Sequence, residues 1–110
     1  MRFDPIASYA RSTPDRLAIV DLADGRQWTY RALNATVDRL AAWLAGQFGP
    51  NSGVRAATLS KNCAEVAILQ YAAVRAGAIF VPLNWRLAAA EIDVLVADAE
   101  PAILFVQDGF

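Results

Sequence analysis

Residues 72–87 (AAVRAGAIFVPLNWRL) constrain this chain more than any other stretch. They pass from an apolar, helix-like segment through Gly77 into four apolar residues, Ala78-Ile79-Phe80-Val81, and then reach Pro82. Glycine enters the left-handed conformation without a Cβ clash, so Gly77 predicts a helix stop. The apolar run does not alternate with polar residues, which predicts a strand buried on both faces. Pro82 lacks a backbone N–H and predicts the point where central sheet pairing ends. Asn84-Trp85-Arg86 follow just beyond the carboxyl end of that strand. Open parallel α/β sheets meet their ligands there.

The rest of the chain supplies partners for this unit. Asp4-Pro5 pairs an oxygen-bearing cap with a proline at the first helical position, predicting a short helix that ends before Thr13-Pro14. Residues 17–22 (LAIVDL) read as a strand, and Asp24-Gly25 turns the chain back into residues 26–29. A small hairpin is expected, with Asp21 and Asp24 as solvated or turn carboxylates lacking a convergent partner. Thr29 caps a helix over residues 30–48, whose Leu33, Val37, Leu40, Leu44 and Phe48 draw one apolar stripe. Residues 49–53 (GPNSG) form the clearest loop, and 55–60 (RAATLS) a strand of small residues. Ser60 and Asn62 are candidate caps for the helix 63–76. That helix is apolar on every side, so it is expected between a sheet and other protein. The loop before it lacks the glycines with which a backbone cradles phosphate. Ile92, Leu95, Val96 and Ala99 mark a last helix over 88–99; Pro101 stops it, and 102–106 (AILFV) is a final strand.

Three short apolar strands alternating with two long helices predict an α/β fold: a right-handed βαβαβ unit with a parallel sheet, flanking helices and a small amino-terminal hairpin. Composition narrows what such a unit does. A net charge of −1 without a basic cluster argues against nucleic acid or an anionic membrane as partner. The lone Cys63 excludes an intramolecular disulfide, and the absence of histidine excludes a His-based metal site or a Ser-His-Asp triad. Hydrophobic residues make up 56% of the chain, above the roughly 45–50% of ordinary domains. Membrane insertion does not explain the excess, because Glu65, Gln70 and Arg75 interrupt the most apolar stretch. No signal-peptide apolar core stands at the start, so the expected location is cytoplasmic. Some apolar surface is therefore expected against further polypeptide, or in self-association.

Two segments carry a family resemblance. Arg75-Ala76-Gly77-Ala78-Ile79-Phe80-Val81-Pro82-Leu83-Asn84 resembles the second core motif of the adenylate-forming (AMP-binding) superfamily, and Trp28-Thr29-Tyr30-Arg31-Ala32-Leu33 resembles its first. The chain departs from the family pattern in two places. Ala32 stands where a glutamate would complete a capping box with Thr29, and Gly53-Val54-Arg55 loses the acid of the usual triplet.

The resemblance implies that residues 1–110 are the amino-terminal portion of a large N-domain, with the remainder of the enzyme as partner. It implies a ligase reaction in which a carboxylic acid and ATP give an acyl-adenylate, and coenzyme A then takes the acyl group as a thioester. ATP, Mg²⁺ and coenzyme A are the implied cofactors. Pro-Leu-Asn followed by an aromatic and Arg-Leu is similar to the acyl-CoA synthetase and fatty-acid–CoA ligase branch, with peptide-synthetase adenylation domains as the alternative. By that resemblance Gly77, Asn84 and Arg86 are the candidate residues near the CoA and acyl passage. The other reading of Asn84 and Arg86 is a loop tied down by hydrogen bonds, and Trp85 is read as a packing residue. The family's later phosphate loop, ribose-binding aspartate and adenylation lysine have no counterpart here, and Lys61, the only lysine, matches none of them. No catalytic residue is assigned, and these residues alone are expected to be inactive. A stand-alone α/β binding or interaction module is the rival reading outside the family.

Overall fold

A computed structural model describes residues 4–110. Its order is α1 (Pro5–Ser12), β1 (Leu17–Val20), β2 (Gln27–Thr29), α2 (Tyr30–Phe48), β3 (Arg55–Leu59), α3 (Ala64–Ala76), β4 (Ile79–Leu83), α4 (Ala89–Ala99) and β5 (Ile103–Val106). The fold is α/β, with an antiparallel β1–β2 hairpin and a three-stranded parallel sheet ordered β4-β3-β5.

Local chemistry explains the element ends. Asp4 Oδ1 accepts from the Ala7 N–H at 3.0 Å, and Pro5 opens α1. Thr29 Oγ1 accepts from the Ala32 N–H at 3.2 Å and starts α2. Gly77 closes α3 in the left-handed conformation, with φ of 77°. The Glu91 carboxylate accepts from the Ala88 N–H at 3.2 Å, which anchors the first turn of α4. This helix begins one residue later than its sequence pattern predicts.

The core lies between α2, α3 and one face of the sheet. Leu33, Val37, Ala41 and Leu44 of α2 meet Ile68, Ala72 and Ala76 of α3, with Ile6 of α1 and the partly buried Ile103 and Phe105 beside them. Each large aliphatic buried there stabilises by roughly 1.5–3 kcal/mol. Ala56 pairs with Ile103 and Thr58 with Phe105, so these four side chains share the α3 face of the sheet. The crossovers β3→β4 and β4→β5 run in opposite directions across the sheet. With right-handed crossovers, α3 and α4 therefore cover opposite faces.

Three expectations are corrected. Strand β4 continues through Pro82, which pairs with Thr58. The Ile79 N–H donates to Val54 O at 2.8 Å, so odd-numbered residues of β4 face β3. The missing N–H of Pro82 then falls on the outer edge, where it breaks no pairing. Nor is β4 buried on both faces: as an edge strand it leaves Ile79 50% exposed. Finally, the protein expected to cover α3 opposite the sheet is α2, within these residues, and the uncovered helix is α4. Ala64, Ile68, Ala72, Ala73 and Ala76 are buried, whereas α4 buries no residue and leaves Val94 67% exposed.

Candidate functional site at the carboxyl end of the sheet

The carboxyl ends of β3, β4 and β5 bring together the β3–α3 loop, the β4–α4 loop and the residues after β5. On the α3 side a cleft of about 730 Å³ opens, bordered by Asp21, Arg26, Trp28, Ile68, Phe105 and Gln107. Its polar wall is built around Asp21, only 6% exposed. The Ala64 N–H donates to Asp21 Oδ2 at 3.1 Å, and the Ala23 N–H donates to Oδ1 at 3.0 Å. Asp21 thus caps α3 from the hairpin. Cys63 occupies the cap position without making a side-chain cap bond, so neither Ser60 nor Asn62 is the cap.

Asp21 has the convergent partners that its sequence neighbourhood did not disclose. The Arg26 guanidinium donates to its Oδ2 at 3.4 Å, pairs with Asp24 and Glu65, and lies 4.8 Å from the centre of the Trp28 ring. The N–H groups of Ala64 and then Ala23, followed by the Arg26 charge, outweigh burial and hold the Asp21 carboxyl below the usual range. Burial pushes Glu65 upward, but its hydrogen bond to Arg26 and further bonds to its own N–H and the Cys63 thiol bring it below the usual range. With Asp21 on the first turn of α3, that helix start already carries an anion. Asp21 is a strut between hairpin and helix.

The three residues selected from sequence do not converge. Gly77 sits at the amino end of β4, and Asn84 and Arg86 lie past its carboxyl end. At Gly77 a Cβ would stand 2.4 Å from Asn51 Cα. The Asn51 N–H donates to Ala76 O at 2.9 Å and the Gly53 N–H to Gly77 O at 3.0 Å. Gly77 therefore lets the 49–53 loop close against the end of α3. Asn84 Oδ1 accepts from the Arg86 N–H at 3.0 Å and shapes the β4–α4 turn. Trp85 is half-buried, with the Phe110 ring at 6.2 Å, Lys61 Nζ at 5.0 Å and Arg86 Cζ at 5.2 Å. Sequence reading missed Lys61 as a neighbour of Trp85, because α3 and β4 separate them in the chain.

A sequence profile of the AMP-binding enzyme family matches residues 6–109. The chain belongs to that family. It is 40% identical over 89 residues to an indoleacetate–CoA ligase of Aromatoleum aromaticum, a match covering 77% of this chain and 16% of the relative. It is 36% identical over 102 residues to CymA, described as a probable non-canonical nonribosomal peptide synthetase, of Salinispora arenicola, covering 92% of this chain and 1% of that protein. The inhibitor-bound N-terminal domain of FACL13 from Mycobacterium tuberculosis superposes with a TM-score of 0.83 at 32% identity, covering 92% of this chain and 25% of that one. The chain thus spans a quarter or less of each of these relatives. Both sequence segments that resemble the family's core motifs lie inside the matched region, one at the β2–α2 junction and one from the end of α3 to the end of β4.

Among the described residues no group of three His, Cys, Asp or Glu side chains could hold a metal ion. No helix of the described residues is long and apolar enough to cross a membrane.

Proposed function

We propose that these 110 residues are the amino-terminal portion of the N-domain of an ATP-dependent acyl-CoA synthetase. That enzyme would join a carboxylic acid to ATP, releasing pyrophosphate, and then pass the acyl group from the adenylate to coenzyme A in the cytoplasm. The observation that carries this reading is the family match over residues 6–109, together with the likeness to the indoleacetate–CoA ligase. The Pro-Leu-Asn-Trp-Arg-Leu exit from β4 supports the CoA-ligase branch. The likeness to CymA favours a second reading, a peptide-synthetase adenylation domain, in which a carrier-bound thiol replaces coenzyme A.

Within this reading Asn84 and Arg86 border the CoA and acyl passage, and Gly77 contributes by fixing the start of β4. The chemistry itself falls to residues beyond these. Acyl-adenylate formation needs a phosphate-cradling loop and a cation at the developing pyrophosphate, and neither motif occurs in the sequence. Carboxylate-dependent ATP–pyrophosphate exchange is therefore expected to be absent from the 110-residue chain. It is expected to return when residue 110 is continued into the rest of the Aromatoleum ligase. A chimera that folds but exchanges nothing, or a 110-residue chain that exchanges alone, overturns this assignment. Thioester formation with free coenzyme A then separates the two branches.

A further inference from the structure

We infer that the cleft on the α3 side of the sheet binds an aromatic amine whose ring also carries a hydrogen-bonding group. That group meets the Thr58 hydroxyl inside the cleft, and the ammonium end meets the carboxylates at its mouth. The inference goes beyond the ligase reading and does not rest on it. The first observation is the cavity. At about 730 Å³ it falls within the roughly 300–1,000 Å³ of small-molecule sites. The hairpin, α2, α3 and β5 each give it an apolar wall, through Trp28, Leu40, Ile68 and Phe105. Such walls suit a flat apolar body.

The second observation is a buried hydroxyl with nothing to bind. Thr58 lines the cleft at only 4% exposure, and its side chain makes no hydrogen bond to the described residues. No fully enclosed polar side-chain atom among those residues lacks a partner, so this hydroxyl is open to the cleft. Neighbouring hydroxyls are already committed: Thr36 donates to Ala32 O at 3.0 Å, and Ser60 to Lys61 O at 2.7 Å. Thr58 is therefore stabilised by a polar group that enters the cleft. The third observation is charge. Asp21, Asp24, Glu65 and Asp108 border the cleft, and Arg26 is its one cation. Arg26 is engaged by Asp21, Asp24 and Glu65, whereas Asp108 makes no ion pair among the described residues. This excess attracts a cation and repels carboxylates and phosphates. Thr58 pairs with Phe105, and Asp108 follows three residues later, at most about 11 Å along the chain. One aromatic ring with a short alkylamine spans such a distance.

The test titrates tyramine into the 110-residue chain by isothermal calorimetry. Phenethylamine, which lacks the hydroxyl, and 3-(4-hydroxyphenyl)propanoate, with a carboxylate for the ammonium, are the comparisons. Saturable tyramine binding that weakens with added salt is expected, about 5-fold tighter than that of phenethylamine, and none of the carboxylate. Thr58→Val should reduce tyramine to the affinity of phenethylamine and leave phenethylamine unchanged, whereas Thr58→Ser should retain the difference. Asp108→Lys should weaken both amines by at least ~10-fold. Asp98→Lys, the same charge change on α4, should leave both unchanged. Thermal unfolding confirms that each variant is folded; Asp108 is exposed, so its substitution tests the site even where Thr58→Val does not fold. No saturable binding of tyramine, equal binding of the carboxylate, equal affinity in Asp108→Lys, or a Thr58→Val loss shared by both amines overturns the proposal. The ligase reading stands or falls separately, on the chimera's exchange activity.

Discussion

Single residues carry two different kinds of constraint in this chain. Gly77 is required by local geometry, because it combines a φ of 77° with an Asn51 Cα that a Cβ would approach to 2.4 Å. Gly77→Ala is expected to cost about 2 kcal/mol or more, through left-handed strain and displacement of the 49–53 loop. A lowered denaturant midpoint at unchanged slope checks this. Asp21 is required by tertiary geometry. Its folded carboxyl lies below the usual range, chiefly through the Ala64 and Ala23 N–H groups, so the unfolded chain binds its proton first on acidification. The contribution of Asp21 is complete above the ordinary value of 3.8 and is lost as pH falls through the folded value. Asp21→Ala should lower stability at neutral pH and flatten the acid limb of the stability profile. Asp21→Asn, whose amide oxygen can still accept from Ala64, should lose less at neutral pH. Equal losses for the two would show that the cap bond contributes nothing. The role of Gly77 was legible in sequence as a helix stop. That of Asp21 was not, because its partner lies 43 residues downstream.

At the scale of elements, periodicity read what each segment is and failed on what covers it. Thr29, the Leu33–Val37–Leu44 stripe and the 49–53 loop fixed α2 and its ends as expected. An apolar run, by contrast, says that a strand prefers burial and nothing about its place in the sheet. The reading of β4 as a central strand failed for that reason, and so did the reading of Pro82 as a stop. The outward-facing proline leaves β4 with one outer-edge N–H fewer, a common guard against edge-to-edge pairing. Pro82→Val should therefore leave the β3–β4 ladder intact while increasing association, visible as a larger weight-average mass in sedimentation. An unchanged mass would deny the edge its guarding role. Helix α4 shows the converse. Its Val94 is exposed, so in chain diluted until monomeric Val94→Thr should change stability by no more than ~0.5 kcal/mol, the usual range for a surface site. Leu83, buried at the end of β4, should lose about 2–5 kcal/mol as Leu83→Ala. Thermal unfolding of the two variants makes the comparison directly.

For the molecule as a whole, the apolar excess in the composition is uncovered surface, but on a different face from the one the sequence suggested. Helix α3 buries Ala64, Ile68, Ala72, Ala73 and Ala76 and packs on α2 and the sheet, leaving Val74 42% exposed. The opposite face is held by α4 alone, and Leu104 and Val106 of β5, Ile79 of β4 and Val94 and Leu95 of α4 are exposed along it or beside it. In strand pairing Ile79 stands opposite Arg55, and Leu104 and Val106 stand opposite Ala57 and Leu59, so the three strand residues project toward the α4 side. Contiguous apolar patches beyond a few hundred Å² are rare on soluble monomers and mark interfaces. At ~25 cal/mol per Å², even ~400 Å² left open forgoes about 10 kcal/mol, comparable to the stability of a whole domain. In an acyl-CoA synthetase the remainder of the enzyme would supply the cover. The 110-residue chain alone should cover the face with further copies of itself, so its sedimentation should show association that grows with concentration. Leu104→Lys with Val94→Lys should shift that equilibrium toward monomer, because burying either charge in the contact would be unfavourable. A monodisperse monomer that melts cooperatively and binds no hydrophobic dye would show that α4 and the sheet suffice to close this face. The stand-alone α/β module would then be the better description of the chain.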